Sequence, residues 1–136
     1  MNLHATYPAL SDLRARASRH IPRFVWEYLD SATGAECTKS RNRAKLDEVL
    51  MMPSILHGEF TADITAPLFG QTHALPVGIA PVGMSGLIWP DAERLLARAA
   101  TQVGIPYGLS TVASQTPEVV GPHLSGNGWF QMYPPR

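Results

Sequence analysis

The sequence predicts an α/β fold built on parallel strands, and three observations carry that prediction. Val77-Gly78-Ile79-Ala80 is a short apolar run without polar alternation, the pattern of a strand covered on both faces. Pro81-Val82-Gly83-Met84-Ser85-Gly86 breaks that run, and Pro90-Asp91-Ala92-Glu93 reads as a helix start. The alternation then repeats, with a strand over 107–110, a helix opened by Thr116-Pro117-Glu118 and a strand over 129–133. The order β-α-β-α-β, spaced by roughly 25–30 residues, is that of α/β units, whose right-handed crossovers leave the strands parallel and adjacent.

The region before Val77 is of a different kind. Ser11 can cap a first helix running to about Arg19, and Pro22 sits where a second begins. Ile21, Phe24, Val25, Tyr28 and Leu29 fall on one face of that second helix, which Thr33-Gly34 ends. Thr38 can cap a third helix that buries Leu46, Val49 and Leu50 and stops at Pro53. Residues 62–65, then Leu68-Phe69, a turn at Gly70-Gln71 and residues 72–75 predict a small β-hairpin layer. Within the later half, Leu95, Leu96, Ala99, Ala100 and Val103 mark the buried side of the helix over 91–103. Gly104 closes that helix, with Pro106 just beyond.

Composition removes several function classes. The chain has 136 residues, enough for one small domain with a core, and its formal charge is +0, so nucleic acid finds no electrostatic footprint. Eight of the eleven Lys and Arg lie between Arg14 and Lys45, which predicts a solvated helical surface; a weakly basic face for an anionic partner or a membrane surface is the alternative. The lone Cys37 excludes an internal disulfide and fits a reducing, cytoplasmic setting. Residues 4–10 are too short and polar for a secretory h-region. The charge-free interval from 64 to 90 holds Pro67, Pro76, Pro81 and Pro90, which rule out a long lipid-facing helix.

No GxGxxG or GxxxxGK is present, and His4, His20, His57, His73 and His123 have no second ligand at metal spacing. Asp91 and Glu93 read as a first-turn carboxylate pair favoured by the helix dipole, and His123 as a surface residue. The predicted strand ends present Ala80-Pro81-Val82-Gly83, Ser110-Thr111, Gln131 and Tyr133. These are neutral hydrogen-bonding groups suited to a flat heteroaromatic ring; the alternative is that Ser110 and Gln131 cap turns and Tyr133 is a half-buried aromatic. Three parallel strands form either a small open sheet or the first part of something larger, since a closed barrel needs about eight strands and ~250 residues.

Pro22-Arg23-Phe24-Val25-Trp26-Glu27-Tyr28, Arg41-Asn42-Arg43, the run from Leu75 to Met84, Ala97-Arg98-Ala99-Ala100, Leu109-Ser110-Thr111 and Trp129-Phe130-Gln131-Met132-Tyr133 occur in an order that resembles the FMN-dependent α-hydroxy-acid dehydrogenases and oxidases. That resemblance covers the chain from about Tyr7. It implies an incomplete TIM (β/α) barrel: a helical lead-in over 1–60, the hairpin over 61–76 and the first three βα units over 77–136.

The resemblance also implies that FMN is the cofactor, held by the backbone of Pro81, Val82 and Gly83, the Ser110 hydroxyl and the Gln131 amide. Tyr28 and Tyr133 would contact a small L-2-hydroxy acid that is oxidised to the 2-oxo acid. The family's catalytic histidine, substrate-binding arginines and phosphate-binding loops belong to later strands, so no base and no metal ligand is nominated here. The implied expectation is a chain that is catalytically silent alone. The alternative is a half-barrel that pairs with a complementary chain, or with a copy of itself, through an edge carrying Trp129, Phe130 and Met132.

Overall fold

The computed structural model describes residues 3–56, 58–59 and 61–134, with side chains from residue 5. The readings of His4, His57 and the terminal Pro135-Arg136 concern side chains or residues outside that set. The chain forms two compact units, residues 1–61 and 62–136.

The first unit is helical: α1 (Leu3–Thr6), α2 (Leu10–His20), α3 (Arg23–Asp30) and α4 (Cys37–Asp47). α2 begins two residues earlier than a Ser11 cap would start it. Ala9 is extended, and its N–H donates to Asp12 Oδ2 at 3.0 Å, so Asp12 supplies the capping bond and Ser11 lies inside the first turn. Pro22 immediately precedes α3, where its carbonyl accepts the N–H groups of Val25 and Trp26 at 3.0 and 2.9 Å. Arg14 joins α2 to α3 through a two-point contact with Asp30, 2.7 Å at each oxygen.

The apolar faces predicted for this unit are only partly buried. On α3, Val25 is buried but Phe24 is exposed and Tyr28 half-exposed. α4 starts after Glu36, in a left-handed conformation, rather than at Thr38, and it ends at Asp47 rather than Pro53. Leu46, Val49 and Leu50 are exposed, against expectation; Val49 and Leu50 lie beyond the helix end, and α4 has too few apolar residues to form a stripe. The basic run is a solvated, locally neutralised surface: Arg14, Arg23, Lys39, Arg43 and Lys45 each sit within 4 Å of an acid.

The second unit opens with an antiparallel hairpin of β1 (Ala66–Leu68) and β2 (Gln71–His73), with Ala66 opposite His73 and Leu68 opposite Gln71. Its turn is Phe69-Gly70, one residue earlier than predicted. Both residues have positive φ, +48° and +77°, as a two-residue hairpin turn of the right twist requires. Residues 62–65 are not a strand. Asp63 Oδ1 accepts both the N–H and the hydroxyl of Thr65, at 3.0 and 2.8 Å, and this local turn replaces strand pairing.

The parallel layer follows. The predicted strand over 77–80 contracts to a bridge at Ile79, parallel to Tyr107: Ile79 N–H donates to Pro106 O at 2.9 Å and Gly108 N–H donates to Ile79 O at 2.8 Å. It is not covered on both faces, since Val77 is 59% exposed and Gly78 and Ala80 are exposed as well. A short helix, α5 (Ser85–Ile88), lies in the segment read as loop, and α6 (Ala92–Val103) follows. β3 (Tyr107–Leu109) pairs in parallel with β4 (Gly128–Phe130), Tyr107 opposite Gly128 and Leu109 opposite Phe130. Between them α7 (Pro117–Val120) begins after Thr116 with proline at its first position, and a 3-10 turn spans Gly121–His123. The order is therefore Ile79, β3, β4, with β3 central.

The core lies between α6 and β3. Ala97, Ala100, Tyr107, Leu109 and Val120 are buried, with Ile79, Leu96, Ile105, Ala113 and Leu124 packed against them. α6 buries Ala92, Glu93, Ala97 and Ala100, while Leu95, Ala99 and Val103 are exposed; the buried stripe is thus rotated from the predicted one toward the smaller residues. Small residues there let the helix approach the sheet closely. Gly104 ends α6 at φ +76°, as predicted.

Buried Asn127 locks the lead into β4. Its Nδ2 donates to Ile105 O at 2.6 Å, its Oδ1 accepts from Thr101 Oγ1 at 3.1 Å and Ser125 N–H at 3.0 Å, and its carbonyl accepts Tyr107 N–H at 3.0 Å. Replacing Asn127 by Ala removes the three side-chain bonds and strands the Ile105 carbonyl. Urea unfolding of the variant is expected to show a loss of about 2–3 kcal/mol, and a change below about 0.5 kcal/mol would contradict this role.

Candidate functional site

Parallel strands bring their C-terminal ends to one side, and the loops that follow them meet there. Position 108 sets how closely. A Cβ on Gly108 would lie 2.9 Å from Pro81 Cδ and 3.2 Å from Pro81 N, so only glycine lets the 81–84 segment lie flat against β3. Met84 N–H then donates to Val112 O at 2.8 Å, tying that segment to the loop after β3.

The loops after β3 and β4 are joined by side chains. Buried Ser110 donates its hydroxyl to Gln131 Oε1 at 3.1 Å, and its Oγ accepts Val112 N–H at 3.2 Å. Gln131 N–H continues the strand ladder to Leu109 O at 2.9 Å. Thr111 Oγ1 donates to Gln131 O and accepts Tyr133 N–H at 3.2 Å. The structure thus brings together Ser110, Gln131 and Tyr133, and links Pro81, Val82 and Gly83 to them through Met84 and Val112. Tyr28 lies on α3 in the other unit and takes part in none of these bonds.

The cluster is neutral. Its donor is the Gln131 carboxamide, whose Nε2 donates to no described residue and whose Oε1 is held by the Ser110 hydroxyl, beside the exposed residues Pro81 and Val82. Such a donor set fits the carbonyl- and nitrogen-bearing edge of a flat ring. It holds no cation for a phosphate. Among the described residues no group of His, Cys, Asp and Glu could hold a metal ion. A separate apolar cleft of about 300 Å³ lies at the opposite, N-terminal end of the strands, lined by Ala66, Leu68, His73, Val77, Pro106 and Trp129. His73 is buried there, its Nε2 without a partner, edge-on to Trp129 at 6.4 Å.

Glu93 departs from the sequence expectation. It is fully buried rather than a solvated partner of Asp91, which pairs instead with Arg94. Its Oε1 accepts Ser114 N–H at 2.8 Å and Gly86 N–H at 3.2 Å, while Oε2 has no hydrogen bond of its own. Burial pushes its pKa up, but its own backbone N–H, those of Ser114 and Gly86, and the nearby Ser85 hydroxyl outweigh this and hold it below the ordinary glutamate value. The signal was in the spacing: residue 93 falls at i, i+3, i+4 and i+7 with Leu96, Ala97 and Ala100, on the buried stripe.

Residues 17–136 match the family of FMN-dependent dehydrogenases. The chain belongs to that family. An L-lactate dehydrogenase of Stenotrophomonas maltophilia (strain K279a) is 39% identical over 125 residues, which are 92% of this chain and 33% of that protein. An L-lactate dehydrogenase of Pectobacterium atrosepticum is also 39% identical, over 92% of this chain and 32% of its own length.

Among solved structures, a mandelate oxidase superposes with a TM-score of 0.85 at 33% identity, over 94% of this chain and 37% of its own. A soluble mutant of the membrane-associated (S)-mandelate dehydrogenase from Pseudomonas putida gives 0.83 at 32% identity, over 90% and 35%. This chain therefore spans about a third of the length of the relatives it matches. No described helix is long and apolar enough to cross a membrane.

Burial, and then the charge of Glu93, push the Tyr107 phenol up to about 12. A raised folded-state pKa contributes stability below the unfolded value near 10, and that contribution is lost as pH rises through about 12. Alkaline titration followed by tyrosinate absorbance is expected to show one component near 12 that Tyr107→Phe abolishes. Persistence of that component in the variant would contradict the assignment.

Proposed function

We propose that this chain supplies the ring-binding wall of an FMN-dependent enzyme that oxidises a small L-2-hydroxy acid, lactate-like, to the 2-oxo acid. In this reading residues 1–60 are a helical lead-in, 61–76 a hairpin, and 77–136 the first three βα units of a TIM barrel. The observation that carries it is the Ser110–Gln131 hydrogen bond at the adjoining ends of two parallel strands, within a chain of the FMN-dependent dehydrogenase family.

Bound FMN would supply the two-electron acceptor chemistry. The backbone of Pro81, Val82 and Gly83 would lie against its ring, with Ser110 and Gln131 on the polar edge. Ser110 fixes the Gln131 carboxamide so that its free Nε2 is presented as a donor, and Thr111 holds the Gln131 carbonyl. Tyr133 and, from the helical unit, Tyr28 would contact the hydroxy acid. The wall orients and hydrogen-bonds; it contributes no base, and the proton of the hydroxy acid has no acceptor in this cluster. A cytoplasmic location accords with the lone Cys37, and in the basic run Arg16, Arg19 and Arg41, which make no ion pair among the described residues, are the charge a membrane surface would meet.

A second reading rests on the exposed edge: Trp129, Phe130 and Met132 are 41%, 51% and 74% exposed, as expected for a half-barrel that a complementary chain would cover. One sample tests both. Purified chain is expected to quench flavin fluorescence saturably, with affinity about tenfold weaker in Gln131→Leu, and to leave FMN unbleached by L-lactate, glycolate or mandelate. Absence of quenching, or equal affinity in the variant, overturns the ring-wall reading. Sedimentation of the same sample as a stable monomer argues against obligate complementation.

A further inference from the structure

Glu93 is the one buried carboxylate among the described residues, and the ring-facing wall makes no direct use of it. Its two amide partners are informative. Gly86 and Ser114 each lie two residues beyond Met84 and Val112, whose N–H···O bond of 2.8 Å ties the 81–84 segment to the loop after β3. The two segments are therefore joined twice, once directly and once through a single carboxylate oxygen. One oxygen has the lone pairs to accept both N–H groups, and its negative charge shortens and strengthens both bonds.

The junction has no slack. A Cβ on Gly86 would lie 2.7 Å from Ser114 Cβ, 2.8 Å from Ser114 Oγ and 3.3 Å from Glu93 Oε2. Any added bulk must part the two segments.

We propose that Glu93 is a positioning residue that sets the spacing between the 81–84 and 110–112 segments, and through it the flavin affinity of the wall. This rests on the ring-wall reading above for its second half only. Glu93 sits on α6, a twelve-residue helix anchored in the core by Ala97 and Ala100, so its carboxylate is a fixed point from which both loops hang. An apolar side chain there leaves Gly86 and Ser114 N–H without their acceptor, and the direct Met84–Val112 bond then has to hold the segments alone. Glutamine keeps one acceptor oxygen of the right reach.

The test is amide hydrogen exchange on the full chain, alongside FMN titration. In Glu93→Ala, exchange at Met84, Gly86 and Ser114 is expected to rise about tenfold or more. Ala74, bonded to Gly104 O at 2.9 Å, and Ile105, bonded to Ala100 O at 3.0 Å, are expected to keep their protection. Glu93→Gln is expected to restore most of the protection. Gly86→Ala, which wedges the same junction without removing the charge, is expected to reproduce the local pattern and serves if Glu93→Ala does not fold. FMN affinity should fall about tenfold in Glu93→Ala and recover in Glu93→Gln.

Uniform loss of protection, including Ala74 and Ile105, would show a general stabilising role and overturn the proposal. So would unchanged exchange at Gly86 and Ser114. Failure of the wild-type chain to bind FMN would overturn the ring-wall reading and with it the affinity half of the proposal, while the exchange pattern still decides whether Glu93 spaces the loops.

Discussion

A side chain at position 108 would put its Cβ 2.9 Å from the Pro81 ring, and the rest of the second unit depends on there being none. β3 is the central strand, with Ile79 on one side and β4 on the other. Because residue 108 has no Cβ, the segment leaving Ile79 can fold back flush against β3, which brings Met84 to Val112. That contact in turn lets the loop after β3 sit beside the loop after β4, where Ser110 reaches Gln131. The neutral polar wall is the end of a chain of close approaches that begins at a missing methyl group.

Electrostatics divides the two units. In the first, acids and bases meet on solvated helical faces, where water and mobile side chains make such pairs weak. They neutralise the surface more than they hold the fold. In the second unit the charge that matters is inside. Glu93 is buried and hydrogen-bonded to backbone amides of two loops, and its field helps keep the Tyr107 phenol protonated. Above it the wall carries no formal charge. A ring presenting carbonyls and nitrogens needs aligned donors, and a neutral wall provides them without imposing a net charge on the ring's edge.

Local punctuation in the sequence translated well into structure. Pro22 before α3, Gly104 after α6 and Thr116-Pro117 before α7 all appear where residue chemistry puts them, because each depends on a backbone preference satisfied within a few residues. Burial translated poorly. Leu46, Val49, Leu50 and Val77 are apolar and correctly spaced, yet exposed, because periodicity states what a face could bury and is silent on what there is to bury it against. Asp63 captured Thr65 in a local turn that strand propensity does not register. Ser110 and Gln131 were legible as strand-end polar groups, and their bond makes them a pair. Glu93 was not legible, because an acid in a first helical turn is so often a solvated dipole partner that its residue type masks its place on the apolar stripe.

In the proposed ring wall, the loops after the parallel strands, and not the apolar cleft at the strands' other end, form the face that meets the flavin. Mapping backbone amide shifts of the isotope-labelled chain during FMN titration tests it most directly. Shifts are expected to concentrate at residues 82–84, 110–112 and 131 and to spare the hairpin. Shifts centred on Ala66, Val77 and Trp129, or no shifts at the three loop segments, would contradict it.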